Sequence, residues 1–303
     1  MYVLPTPHGD KLNALLENEK LPKSDRPYIL DALTFYKEWL EKLKLVTGEP
    51  QEIVTDMVDI LNEYKRYIEL NVIFDSKNNF LYRQKGQLKL DNTIIEEFLP
   101  ILLTSALSDL LQDYDLGFGP MTCFSGIRFE SGIATDRIGG GMQVRTKDHD
   151  FAISRRLFIR SSHHKDFQGS ITRETNIAYI AAECKTNLDK TMFQEAAATA
   201  LDVKLVVPGA KYYLLCEWLD MSPISTHTTA IDEILVLRKA KRLSSDVRRE
   251  FSTAIGRQKN RERFAQYLET NPFSTEVFLR FVGHVRGVIE EKPENDVITR
   301  GYF

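Results

Sequence analysis

The strongest constraint on the fold of this chain comes from two stretches that are almost entirely apolar, residues 177–182 and 212–219. A strand that is apolar on both sides is typical of the centre of a sheet whose two faces are covered. Between these stretches, residues 189–207 are rich in alanine and have the pattern of a helix. The order of these segments predicts an α/β fold with a central sheet flanked by helices.

The composition is that of a folded, soluble protein, because 43% of the residues are apolar and 27% are charged. The chain has no run of 18 apolar residues, and its start lacks the basic and apolar regions of a secretory signal. The three cysteines, Cys123, Cys184 and Cys216, are too scattered for a disulfide framework or a zinc pattern. We therefore expect a cytoplasmic protein with no membrane contact.

The apolar pattern divides the chain into three regions. Residues 1–90 are predicted to be helical, because apolar residues recur there every three or four positions, although residues 75–87 have the character of a turn or hairpin. Residues 91–225 are predicted to form the α/β core, which opens with an amphipathic helix that contains Pro100. Residues 226–303 are predicted to form a helical, basic region.

The most basic segment of the chain lies in this last region. Residues 237–264 contain ten basic residues and three acidic ones. Such a segment could contact a polyanion, and the candidates for contacts with DNA phosphates are Arg257, Lys259, Arg261 and Arg263. The alternative interpretation is a solvated helical surface.

Polar residues at the end of the first apolar strand indicate a catalytic site. In a strand, Glu183 and Lys185 share one face, while Cys184 points to the other face and into the core. Burying an acid and an ammonium is costly unless they are well paired or used. Mg²⁺ is one use, since it takes oxygen ligands that Glu183 and the Cys184 carbonyl could supply. Lys185 could then act on the attacking water or on a developing phosphate charge.

A second carboxylate is available at the start of the neighbouring predicted strand, residues 151–160. Asp148 and Asp150 both lie at its entrance. We favour Asp150 because it directly precedes the strand and a ligand in that place is held more rigidly. The sequence therefore predicts that Asp150 and Glu183 lie on adjacent strands.

The order of Asp150, Glu183-x-Lys185 and a following helix resembles the active site of the PD-(D/E)xK nuclease superfamily. These three residues stand at the positions of its two acids and its lysine, and His149 stands where proline is often found. Residues 183–204, ECKTNLDKTMFQEAAATALDVK, are also similar to the type II restriction endonucleases related to BbvCI, which cut an asymmetric site as paired, non-identical subunits. This similarity covers about residues 90–220.

The resemblance implies a restriction-endonuclease-like core, a central mixed sheet flanked by helices, with helical regions before and after it. It implies Mg²⁺-dependent hydrolysis of double-stranded DNA at a specific sequence, leaving 5′-phosphates, by a bacterial enzyme that is a dimer or has a non-identical partner subunit. The predicted metal ligands are Asp150, Glu183 and the Cys184 carbonyl, with Glu96 or Glu97 as an additional acid. The predicted catalytic residues are Asp150, Glu183, Lys185, Gln194 and Glu195.

Other motifs leave alternatives open. Residues 137–150 are predicted to form a glycine-rich loop that either approaches DNA or is simply mobile, since the three glycines at 139–141 have no nucleotide-binding context. Arg145 and Lys147, which lie in this loop, are candidates for contacts with the DNA backbone. The adjacent His163 and His164 predict a solvated turn. The alternative functions are a repair or recombination nuclease that recognises DNA structure, and a DNA-binding subunit that does not cut.

Overall fold

The computed structural model describes residues 4–112 and 114–290. The N-terminal region is helical, as predicted. Its helices are α1 (Pro7–Glu17), α2 (Arg26–Leu45), α3 (Pro50–Arg66), α4 (Asn79–Tyr82), α5 (Thr93–Ala106) and α6 (Ser108–Leu111). Helix α3 begins at Pro50, and the N–H that proline lacks would have no partner within the first turn of a helix. The helix continues into a π-helical segment, Tyr67–Phe74. A short 3₁₀ helix, Gly86–Leu88, precedes α5.

A five-stranded mixed sheet forms the centre of the molecule, which confirms the predicted fold class. The strands are β1 (Gly117–Arg128), β2 (Gln143–Ser161), β3 (Ile171–Leu188), β4 (Lys211–Leu219) and β5 (Glu233–Lys241), in that order across the sheet. Strands β1, β2 and β3 are antiparallel to one another, and β3, β4 and β5 are parallel. Helix α7 (Lys190–Val206) connects β3 to β4.

The remaining described elements are two further 3₁₀ turns, Ile138–Gly141 and Thr226–Thr228, and four C-terminal helices. These helices are α8 (Ser245–Glu250), α9 (Ala254–Lys259), α10 (Arg261–Thr270) and α11 (Thr275–Glu290). Within the described residues, no helix has both the length and the apolar character that crossing a membrane requires.

Both faces of β3 and β4 are covered, as their apolar sequences predicted. On one face, Ala182, Cys184 and Tyr213 join a large core with the N-terminal helices and α11. On the other face, Ala181, Tyr212 and Leu214 pack in a second core with α7. Alternate residues of one strand therefore belong to different cores.

The prediction that residues 226–303 form a helical region is wrong in part, because residues 233–241 form strand β5. Leu235 and Leu237 alternate into the core, and the strand pairs in parallel with β4. The basic residues of this segment obscured that period of two. One of them, Arg238, is buried and forms ion pairs with Glu69 and Glu217. The sheet thus extends beyond residue 225.

The prediction of a turn or hairpin at residues 75–87 is wrong in its hairpin form, since no strand forms there. The segment turns through α4 and the 3₁₀ helix, and Leu81 is buried in the main core. The carbonyl groups of Phe74, Ser76 and Asn78 accept hydrogen bonds from one side chain, Arg257, at 2.9–3.0 Å. A long-range partner, which local sequence does not reveal, therefore satisfies this turn.

The glycine-rich loop is shorter than predicted, because β2 begins at Gln143 and its first seven residues pair with β1. Gly139 is buried, has φ +58°, and donates its N–H to the carbonyl of Gly169 at 3.1 Å. A Cβ atom at Gly139 would lie 2.7 Å from the Ser161 carbonyl oxygen. Glycine is therefore required where the β1–β2 turn packs against the β2–β3 turn.

Candidate active site

Strands β2 and β3 bring the predicted acids together. Phe151 lies opposite Ala182, so Asp150 and Glu183 occupy neighbouring places at one end of this strand pair. The Asp150 carboxylate accepts a hydrogen bond from the backbone N–H of Cys184 at 3.0 Å. Glu183 and Lys185 lie on the same face of β3, and their side chains form an ion pair at 2.7 Å. Asp150, Glu183 and Lys185 therefore form one cluster.

Asp148, the alternative acid, faces a different partner. Its carboxylate accepts a hydrogen bond from the Thr122 hydroxyl on β1 at 2.5 Å, and the side chain is exposed. Only Asp150 is bonded to the strand that carries Glu183. The geometry favours Asp150 over Asp148, as the sequence did, but for a different reason: Asp150 lies within β2 and not at its entrance, and the backbone of β3 fixes its carboxylate.

Tyr212 of β4 is a neighbour of the acids that the sequence analysis missed. Its hydroxyl donates to the second carboxylate oxygen of Glu183 at 3.1 Å. Burial raises the pKa of Tyr212, and the adjacent charge of Glu183 raises it further. The phenol is therefore a permanent donor that orients Glu183. Its only sequence signal was its place at the start of an apolar strand.

Lys89, just before α5, is a second residue that the sequence analysis missed. Its ammonium group lies 2.7 Å from Asp150 Oδ1 and 2.9 Å from Glu96 Oε1. Burial raises the pKa of Glu96, and so does the charge of Asp150, while Lys89 opposes both effects. Burial also works against the charge of Lys89, but the two carboxylates outweigh it and raise the pKa of Lys89.

Asn92 connects this helix terminus to the strand. Its side-chain amide donates to the Cys184 carbonyl at 3.0 Å and to Glu96 Oε1 at 2.9 Å. The Cys184 side chain is buried in the core as predicted, and burial raises its pKa well above the ordinary thiol value. The backbone of Cys184 thus contacts the site on both sides, through its N–H and its carbonyl, while the thiol does not.

The structure separates the two acids that the sequence left as alternatives on α5. Glu96 faces Asp150 through Lys89. Glu97 points the other way and accepts hydrogen bonds from the Tyr36 hydroxyl at 2.6 Å and from the backbone N–H groups of His8 and Gly9. The candidate metal ligand Glu97 is therefore corrected to a structural residue that anchors α1, because a helix points adjacent residues in different directions.

A cleft of about 370 Å³ opens between β2 and α7 beside the acids. The residues that line it are Lys147, Asp148, His149, Asp150, Ala182, Glu183, Glu195, Ala198, Thr199, Asp202 and Tyr212. Glu195 thus borders the cleft, whereas Gln194 is exposed on α7 and does not line it. Burial lowers the pKa of His149, and the charge of Lys147 adds to this effect, so the ring is neutral at neutral pH.

A larger groove, of about 620 Å³, lies among α2, α3 and α10, away from these acids. Its charged side chains sit at its rim in exposed ion pairs such as Lys42–Glu63. It brings no acid and lysine together in a protected place. The smaller cleft is therefore the better candidate for chemistry.

The residues predicted to contact DNA differ in their exposure and in whether another side chain or the backbone already pairs with their charge. Arg145 and Lys147 are exposed on β2 close to Asp150, and Lys259 is exposed on α9. Arg261 forms a bidentate ion pair with Asp75. Arg257 is 1% exposed, and its guanidinium is bonded to the carbonyls of the turn after α3. The prediction that Arg257 contacts phosphate is therefore corrected, because its charge is used inside the protein.

The donor set of the cluster suits a hard divalent cation. Within the described ranges, no group of three or more histidine, cysteine or acidic side chains has the arrangement of a complete metal cage. Mg²⁺ does not need one, since it commonly takes one or two carboxylates and completes its shell with other oxygens. The ammonium of Lys89 shows that oxygens of Asp150 and Glu96 converge on a single cation position.

A sequence-family model and a solved structure are similar to this chain. A sequence model of a family described as the Bpu10I restriction endonuclease matches residues 87–303. Among solved structures, the native BbvCI A2B2 tetramer at low resolution is similar, with a TM-score of 0.51 and 18% sequence identity. The match covers 86% of this chain and 96% of that chain, and at this identity it shows the fold alone. No curated protein matches the chain.

Proposed function

The chain belongs to the Bpu10I restriction endonuclease family, and from this premise we propose that it is a Mg²⁺-dependent type II enzyme that hydrolyses double-stranded DNA at a specific sequence and leaves 5′-phosphates. The observation that carries the proposal is the cluster of Asp150, Glu183 and Lys185 at the point where the pairing of β2 with β3 ends. Their separation in sequence makes this arrangement a product of the fold. Such an enzyme would act in the bacterial cytoplasm.

Each carboxylate of the cluster is oriented by the protein. Asp150 is fixed to the backbone of Cys184, and Glu183 is held by Tyr212 and Lys185. Orientation of this kind reduces the reorganisation that catalysis requires. We propose that Asp150, Glu183 and the Cys184 carbonyl would hold the metal, with Glu96 as the additional acid.

When bound, the metal would supply positive charge against the scissile phosphate. Lys185 is partly exposed beside Glu183, so its ammonium would face the same phosphate and help to orient the attacking water. Glu195 borders the cleft and would contribute to the position of that water. Gln194 lies outside the cleft lining, and we propose for it only a contact with the DNA.

DNA would approach the exposed end of β2. Arg145 and Lys147 lie on this strand within a few residues of Asp150, and their charges would contact the backbone near the scissile bond. Lys259 is exposed on α9 and would add a more distant phosphate contact. The similar BbvCI structure is described as an A2B2 tetramer, and we propose that this chain also assembles with a non-identical partner.

A plasmid digestion tests the proposal. The full chain is incubated with supercoiled plasmid and Mg²⁺ or EDTA, and the cut ends are sequenced and tested for ligation without prior phosphorylation. Discrete fragments that share a sequence and ligate directly are expected. The same preparations of Glu183→Gln and Lys185→Met are expected not to cut, and the matched control Asp148→Asn is expected to cut.

Other results would assign other functions. Cutting without a shared sequence would indicate a nuclease that recognises DNA structure. Nicking of one strand at a shared sequence would indicate that a partner subunit cuts the other strand. Binding without cutting by the chain alone would indicate a subunit that needs a partner or does not cut, and undiminished cutting by both variants would contradict the site.

A further inference from the structure

Lys89 contacts two acids of the candidate site without belonging to either catalytic strand. Its ammonium lies 2.7 Å from Asp150 and 2.9 Å from Glu96, so a single cation joins the acid of β2 to the acid of α5. Both oxygens point to one place. That place is the position where a divalent cation held by these two acids would lie.

The backbone of Lys89 is fixed, whereas its side chain is not enclosed. Its N–H donates to the Gly86 carbonyl at 2.8 Å, and its own carbonyl accepts from the N–H and the hydroxyl of Thr93. Its φ of +60° places the residue in the left-handed region, which directs the chain sharply into α5. The side chain is 45% exposed, so the ammonium can move into solvent without disturbing the core.

The two acids need a cation between them. Glu96 is 4% exposed on α5, and Asp150 on β2 contacts the same ammonium group. Two carboxylates that face each other in a partly dry place repel unless a positive charge separates them. Lys89 supplies that charge from the chain itself, and a divalent cation would supply more charge at the same oxygens.

We propose that Lys89 is an internal competitor of the divalent cation: its ammonium occupies the oxygens of Asp150 and Glu96, and binding of the metal displaces it toward solvent. This inference rests on the proposed metal site. It deepens that proposal because it names a residue, outside the Asp150 and Glu183-x-Lys185 pattern, that sets how tightly the metal binds.

Binding of Mn²⁺ to the full chain without DNA tests the inference, followed through the electron paramagnetic resonance signal of the free ion. Lys89→Met removes the charge and keeps the length of the side chain. It is expected to lower the dissociation constant for Mn²⁺ by about tenfold, the equivalent of one charge-assisted hydrogen bond. Lys89→Arg is expected to stay near the wild-type value, because it keeps the competing charge.

A matched control is Lys42→Met, which removes another half-exposed lysine–carboxylate pair, Lys42–Glu63 at 2.8 Å, in the groove away from the site. It is expected to leave Mn²⁺ affinity unchanged. A second readout is the melting temperature: Lys89→Met is expected to melt below the wild type in EDTA, and saturating Mn²⁺ is expected to reduce the difference, because linkage is reciprocal.

Separate results would contradict the competitor role of Lys89 and the proposed metal site. Asp150→Asn is expected to abolish Mn²⁺ binding in both the wild type and Lys89→Met. Equal affinities of wild type and Lys89→Met, with binding still lost in Asp150→Asn, would overturn the competitor role and leave the metal site standing. If neither protein shows binding that depends on Asp150, the proposed metal site falls and the inference falls with it.

Discussion

Asp150 Oδ2 accepts a hydrogen bond from the backbone N–H of Cys184 at 3.0 Å. The acid of one strand is thereby fixed to the middle residue of the Glu183-x-Lys185 motif on the next strand. The bond uses a backbone group, so it depends on the register of β2 and β3 and not on the identity of residue 184. This relationship explains why a motif of three separated residues can act as one site.

Asp150 and Asp148 are expected to differ sharply in importance for cleavage. Asp150→Asn is expected to reduce the cleavage rate by about 1000-fold, because it removes a charge from the proposed metal site. Asp148→Asn is expected to change the rate by less than about fivefold, since it loses only an exposed contact with Thr122. Rates of plasmid cleavage in Mg²⁺ measure both effects, and equal losses would contradict the choice of Asp150.

Glu96 and Glu97 are expected to show opposite defects. Glu96→Gln is expected to lower cleavage by about 10- to 100-fold at nearly unchanged stability, as for a residue that supports a metal site. Glu97→Gln is expected to lower the free energy of unfolding by about 2 kcal/mol, because a buried charged acceptor of three hydrogen bonds is lost. Urea unfolding and cleavage rates per folded molecule separate the two, and a catalytic defect in Glu97→Gln alone would reverse the assignment.

Arg257 and Lys259 provide a second matched pair. Arg257→Met is expected to cost about 3 kcal/mol of stability, since it leaves buried carbonyl groups of the turn after α3 without donors. Lys259→Met is expected to leave stability unchanged and to reduce the slope of DNA affinity against salt by about one contact. Unfolding and DNA binding at several salt concentrations measure these effects. An unchanged salt slope would remove Lys259 from the DNA-binding surface.

His8 is expected to make the protein sensitive to mild acid. Burial lowers the pKa of His8 from 6.5 to about 3, and the charge of Lys65 adds to this effect. Between these values the unfolded chain binds the proton and the folded chain does not, so stability falls as the pH falls below 6.5. From pH 7.5 to 5 the loss from this group is expected to be about 2 kcal/mol.

Urea unfolding of the wild type and His8→Gln at both pH values measures the contribution of His8. The variant lacks the titrating group and is expected to lose about 2 kcal/mol less than the wild type over this range. Parallel pH dependences would show that His8 does not resist protonation in the folded protein.

Tyr212 is expected to contribute to cleavage through Glu183. Tyr212→Phe keeps the ring in its core and removes the hydroxyl that donates to Glu183 at 3.1 Å. We expect a loss of about tenfold in the cleavage rate, typical of a residue that orients a ligand, with little change in melting temperature. Single-turnover cleavage and thermal unfolding test this, and wild-type cleavage would show that Glu183 needs no such partner.

The sequence alone was sufficient for the parts of the fold that depend on local pattern. The apolar runs of β3 and β4 identified the central strands, and their period of two placed Glu183 and Lys185 on one face. The same reasoning missed β5, because its basic residues disguised a buried alternation, and it misread residues 75–87, whose carbonyl partners lie on α9.

The candidate site shows the same division. Asp150, Glu183 and Lys185 could be named from the sequence, because an apolar strand and a short motif are local features, although β2 begins at Gln143 and not after Asp150. Only the tertiary structure distinguished Glu96 from Glu97, brought Lys89 and Tyr212 to the acids, and turned Arg257 into the core. The physical reason is that burial and pairing of a polar side chain depend on groups far away in sequence, whereas periodicity depends only on its neighbours.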